Sequence, residues 1–195
     1  MIGVVLVVIS IGLFLLNTTA STTLITLPPT PATTSVPALV PVGPILPAAS
    51  PMQLEIPRLG LVASFGPVLG LASDGTIEVP DNYEEVGWYR FGPTPGELGP
   101  AVVLGHVDSE DGPAVFFSLG QLTAGDEILI TRADVSVATF AVTGLERPRQ
   151  AAFPIARVYG DIDHAGLRLI TCSGQFVRGQ QRYTHNLIVY ARLIE

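Results

Sequence analysis

From Met52 to the C-terminus the chain is a succession of short apolar runs cut by turn formers, a rhythm that favours an all-β fold. The runs MQLEIP, GTIEVP, AVVLGH, DEILITR, VSVATFAVTGLE, LRLITC and NLIVYARLI are rich in Val, Ile, Leu and Thr, and several alternate with period two. Between them fall Asp74-Gly75, Pro95-Gly96, Asp111-Gly112 and Gly125-Asp126. These pairs turn a chain because Gly accepts positive φ and Asp hydrogen-bonds its own backbone. Helical periodicity is confined to a turn or two near Phe116–Leu122 and Pro154–Tyr159. A mostly antiparallel, closed or nearly closed β-barrel with one or two short helices is expected.

Two different segments precede this domain. Residues 1–18 hold the uncharged run IGVVLVVISIGLFLL, read as a membrane anchor or signal segment. An uncleaved anchor is favoured, because no basic region precedes the run and the small-residue site near Thr18–Ser21 is weak. Residues 19–51 are dense in Pro, Thr, Ala and Val and carry no charge, the first charged residue being Glu55. Such a stretch favours extended, polyproline-like conformers and acts as a spacer. The folded domain is therefore expected over residues 52–195.

Charge removes one class of partner. The net charge is −7, all ten basic residues are Arg, and they form no cluster. Nucleic acid is not an expected partner, since binding it requires several cations to neutralise phosphates.

The chemistry is sparse and concentrated. Cys172 is the only cysteine, so no disulfide can form within the chain, and it ends the strand-like run LRLITC. A lone thiol is an inert core group or a reactive one, and reactivity needs a proton acceptor or a cation beside it. His106 follows the apolar run AVVLG and precedes the polar VDSEDG, so a strand delivers its imidazole to the rim, where a packing role and a catalytic one look alike. His164, in DIDHAG, reads as a turn residue, and His185, in RYTHN, lies just before the last strand.

Taken together, VVLGHVDSEDGPAVFFSL, LRLITCSGQF and RYTHNLIVYARL, in that order, resemble the sortases, cysteine transpeptidases of Gram-positive and related cell surfaces, and most of all their class F or neighbouring class E members. LEIPRLGL, GWYRFGPTPGELGPAVVLGH and FPIARVYG extend the resemblance over essentially Met52–Glu195. It implies an eight-stranded sortase barrel. It also implies that Cys172 attacks the carbonyl between Thr and Gly of an LPxTG-like sorting signal to form a thioester. His106 would then protonate the leaving amine and deprotonate the incoming one.

The family's oxyanion-stabilising Arg is where the chain departs from the pattern. Immediately before the final apolar strand stand His185 and Asn186, and the nearest cations are Arg182, the favoured candidate, and Arg178. Thr171 resembles the family residue lining the oxyanion region, although a β-branched residue there also suits an ordinary strand.

The resemblance further implies a sorting-signal peptide and an amine acceptor, such as a peptidoglycan cross-bridge, as partners. It places the protein as a single-pass membrane protein with its catalytic domain outside the cell. No cofactor is expected. No catalytic metal is expected either, because one Cys and three widely spaced His lack the close pairs of a zinc site; the acidic residues Asp108, Glu110 and Asp111 form no evident connected calcium shell. The alternative is a non-catalytic extracellular β-barrel module with a buried structural thiol.

Overall fold

The computed structural model describes residues 40–73 and 76–195. The apolar run, most of the Pro/Thr-rich segment and the Asp74-Gly75 pair, expected to form a turn, lie outside the described residues. The strands, in chain order, are β1 (Pro51–Ile56), β2 (Leu61–Ser64), β3 (Gly87–Trp88), β4 (Gly99–Leu104), the small hairpin β5 (Asp108–Ser109) and β6 (Gly112–Pro113), β7 (Glu127–Arg132), β8 (Val137–Glu146), β9 (Ala165–Val177) and β10 (Arg182–Leu193). Among the described residues a single short α-helix, α1 (Ile155–Tyr159), lies in the β8–β9 connection.

Eight strands form one sheet in the order β2-β1-β7-β8-β10-β9-β4-β3. All its neighbouring pairs are antiparallel except β4 and β9, which run parallel. The sheet curls until its two edges meet, where Val86 N–H donates to Ser64 O at 3.1 Å and Gly66 N–H to Val86 O at 2.9 Å. This is the expected all-β, nearly closed eight-stranded architecture.

The curl gives the central strands two buried faces. Inside it, Leu54, Ile56, Val103, Phe116, Phe140, Leu167, Leu169 and Val189 pack as one core, each large side chain contributing roughly 1.5–3 kcal/mol by leaving water. Outside it, Val102, Ile170 and Ile188 pack under Val158 of α1, with Tyr89, Phe153 and Tyr159 around them. The runs AVVL and LRLI therefore read as nearly continuous apolar stretches, as expected of strands covered on both sides.

Two sequence expectations change in detail. GTIEVP forms no strand: Ile77 makes only an isolated bridge to Leu71, and the Glu78 carboxylate accepts from Gly70 N–H at 2.6 Å. Its alternation is real, but its antiparallel pairing with residues 70–72 is confined to that one bridge. Phe116–Leu122 supplies only a 3₁₀ turn at Leu119–Gln121, whereas Pro154–Tyr159 does yield α1.

Ordered contacts also begin ahead of Met52. Val42 N–H donates to Asp163 O at 2.6 Å and Leu46 N–H to Gly96 O at 2.7 Å. Arg132, only 2% exposed, donates to Pro47 O at 2.7 Å and to Ser136 Oγ at 2.8 Å, and pairs with Asp134. An extended Pro-rich segment has no internal hydrogen bonds, so a buried guanidinium with several donors is well suited to hold it.

Candidate active site

Cys172 and His106 reach the same place by strand register. In the parallel β4–β9 pair the last partners are Leu104 and Ile170, and Gly105 N–H continues the ladder to Ile170 O at 3.2 Å. Two residues beyond each partner lie His106 and Cys172, on strands about 4.8 Å apart. Side chains repeat with period two, so both share the outer face with Leu104 and Ile170. Gly105 between them must be small, since a Cβ there would lie 2.7 Å from the Phe116 ring.

The imidazole is held from behind. His106 Nε2 lies 2.7 Å from Pro80 O, and a carbonyl only accepts, so Nε2 carries the proton and Nδ1 is the nitrogen left for chemistry. Tyr83 packs against the ring at 4.5 Å between centroids, and Phe116 N–H donates to His106 O at 2.8 Å. The long β2–β3 connection thus orients His106.

The thiol is half-buried, and its pKa is pushed up, first by burial and then by the charge of Asp108. Asp108 stands two residues past His106 and accepts a hydrogen bond from Tyr183 Oη at the start of β10. That bond, with some burial, raises the Tyr183 hydroxyl to about 12. Tyr183 and Asp108 therefore clasp β10 to the β5–β6 hairpin after His106, beside the thiol. At neutral pH this environment favours the protonated thiol, so a neighbouring base must take its proton when it reacts.

The clasp yields a test. Asp108→Asn is expected to raise the rate of Cys172 alkylation at neutral pH and to move the midpoint of its pH profile downward, because the carboxylate that disfavours the thiolate is gone. An unchanged profile would assign the effect to burial alone.

A groove of ≈ 1370 Å³ runs over this face, larger than the roughly 300–1,000 Å³ of ordinary small-ligand pockets and suited to an extended chain. One wall comes from the β2–β3 connection through Leu71, Ile77 and Val79, and another from the β8–β9 connection through Arg149, Phe153, Ile155 and Tyr159. Ile170, Gly174 and Asn186 lie along its floor. Cys172 itself does not line it but sits between Ile170 and Gly174, while His106 lies two residues beyond the lining residue Leu104.

The remaining sequence candidates fall in different places. Arg182 is exposed at the start of β10, lines the groove, and donates from Nε to Gln180 Oε1 at 2.8 Å. Arg178, exposed in the 3₁₀ turn Arg178–Gln180, does not line it. Thr171 alternates to the barrel interior, 4% exposed, and its buried Oγ1 has no hydrogen-bond partner. Its hydroxyl faces away from the groove. His185 pairs in register with Ser173, with Nδ1 2.8 Å from Thr184 Oγ1. His164 sits at the far end of β9 from Cys172, bonded to Asp163 at 2.9 Å.

The sortase-domain family model matches residues 54–194. The chain belongs to the sortase family. Solved sortases share its fold at low identity. Sortase A from Corynebacterium diphtheriae, a lid mutant, superposes with a TM-score of 0.58 at 17% identity, covering 77% of this chain and 73% of that one. Sortase C1 from Streptococcus suis gives 0.58 at 17%, covering 75% and 74%, and the Group B Streptococcus Pilus Island 1 sortase C2 gives 0.56 at 16%, covering 73% of each chain. No curated protein matches the sequence.

For this sortase, sequence reasoning missed the pairing of Asp108 with Tyr183, and it noted Asn186 only as standing where the family's Arg was expected, not as the register partner of Cys172. The alternation running back from Ile188 through Asn186 is the signal that put Asn186 on the groove face.

Proposed function

We propose that this sortase is a cysteine transpeptidase that cleaves an LPxTG-like sorting signal and transfers the exported protein to an amine acceptor of the cell wall. The observation that supports the reading is the parallel register ending at Leu104↔Ile170, since His106 and Cys172 each stand two residues beyond it, next to residues that line the groove. In the first half, His106 Nδ1 takes the thiol proton as Cys172 Sγ adds to the Thr carbonyl carbon. The resulting oxyanion collapses, the C–N bond to Gly breaks, and the proton passes from His106 to the leaving amine. In the second half a neutral amine attacks the thioester, gives a proton to His106, and expels the sulfur, which recovers its proton from the imidazole. The apolar groove walls support binding of an extended, uncharged segment such as Leu-Pro. An N-terminal anchor with the domain outside the membrane fits this role.

The test is incubation of the full-length protein in detergent with a library of LPxTG-like peptides and amines, read by mass spectrometry. Transpeptidation products carry the reading. Absence of any product or trapped thioester would favour a non-catalytic surface module.

Arg182 is the cation of choice for the oxyanion, since it lines the groove and only its exposed bond to Gln180 has to be released. Arg182→Ala is expected to lower kcat/KM for peptide by about 10²–10³-fold with little change in stability, and Arg178→Ala to change neither much. The reverse ranking would move the role to Arg178.

A further inference from the structure

Asn186 occupies the position nearest the thiol on β10. It is the register partner of Cys172 in the antiparallel β9–β10 pair. Its backbone N–H donates to Pro148 O at 3.0 Å, away from β9, so the two residues form a non-hydrogen-bonded pair. In such pairs the Cα atoms approach to about 4.5 Å and the side chains lie closest. Register and alternation put both side chains on the outer face, and Asn186 is half-buried and lines the groove.

Its donor is only lightly committed. The carboxamide nitrogen lies 3.4 Å from Thr171 O, a long contact beside the usual 2.9–3.0 Å. Because that partner is a carbonyl, the NH₂ end faces β9, and its second hydrogen remains for another acceptor. The alternatives are less well placed. The Thr171 side chain points into the barrel, and Arg182 starts four residues further along β10, about 13 Å at strand rise.

We infer that Asn186 is a further catalytic residue, whose carboxamide donates a hydrogen bond to the oxyanion formed when Cys172 adds to a carbonyl. The inference rests on Cys172 being the nucleophile, and it adds a neutral donor beside the thiol to a charged one that arrives along the groove. A second donor on a fixed strand costs no reorganisation as charge develops.

The experiment compares two reactions of Cys172 in the full-length protein. Acylation by a small activated ester, p-nitrophenyl acetate, passes through a tetrahedral oxyanion; alkylation by iodoacetamide does not. The ester is too small to fill the groove and draw Arg182 in. Asn186→Leu, close in size but without a donor, is expected to lower acylation by about 10²-fold while alkylation stays within about twofold. Asn186→Ala should behave alike and guards against misfolding of the Leu variant, and Asn186→Gln should recover part of the acylation. Equal losses in both reactions, or none in either, would overturn the inference. A wild-type thiol that is alkylated but never acylated would instead overturn the nucleophile reading, and this inference with it.

Discussion

Cys172→Ala is expected to abolish both peptide cleavage and thioester formation while the protein stays folded. The thiol is half-buried at the edge of the groove, and its backbone stays in the β10 register through Asn186. Removing one sulfur from such a site costs stability within about 1 kcal/mol, far less than deleting a core side chain. Neither His106 nor Asp108 can replace the sulfur, since no other nucleophile occupies that register position. Trapping with a labelled peptide and mass spectrometry should find no adduct in the variant, while thermal unfolding should nearly overlay the wild type. Residual thioester, or turnover near the parent rate, would remove Cys172 from the mechanism.

The barrel was legible in the sequence where strands are long and covered. β1, β4, β7, β8, β9 and β10 all coincide with runs recognised by apolar content, because burial on one face imposes alternation and burial on both imposes a continuous run. β2 and β3, four and two residues long, are too short for a period to show. GTIEVP misled for the opposite reason: a strand pattern specifies a face, but a strand also needs a ladder longer than the single bridge that residues 70–72 offer it, and such partners are set by the curl of the whole sheet.

The site divides along the same line. Cys172 and His106 were legible as a unique thiol and a histidine at a strand end, and the sortase resemblance paired them. The clasp between Asp108 and Tyr183, and the pairing of Asn186 with Cys172, depend on a register that cannot be counted from the turn. Between Cys172 and Asn186 the ladder slips at a bulge around Gly174 and then passes through the 3₁₀ turn Arg178–Gln180. Gly174 has φ +82, and a Cβ on it would lie 2.5 Å from Thr184 Oγ1, so glycine is what permits the slip. Which residue then faces the thiol is a geometric outcome rather than a sequence motif.

His106→Ala is expected to lower transpeptidation by about 10²–10⁴-fold near neutral pH, the usual worth of a positioned acid–base group. The size of the loss follows from the thiol. Burial and Asp108 hold Cys172 above the ordinary thiol range, so at neutral pH little thiolate exists without a base to take the proton. His106 is suited to do so, with Nε2–H committed to Pro80 and Nδ1 left over. As pH rises toward the thiol pKa, hydroxide forms the thiolate unaided, and iodoacetamide alkylation of His106→Ala should climb back to the wild-type rate. Transpeptidation should not recover with it, because the leaving amine still lacks a proton donor. Rate profiles of the two reactions from pH 6 to 10, run on the same variant, separate these requirements. Recovery of both together would confine His106 to activating the thiol and would require another group to protonate the amine. Recovery of neither would mean that the substitution disturbs the groove itself, which the fit of Tyr83 and Phe116 around the histidine makes the outcome to check by thermal unfolding first.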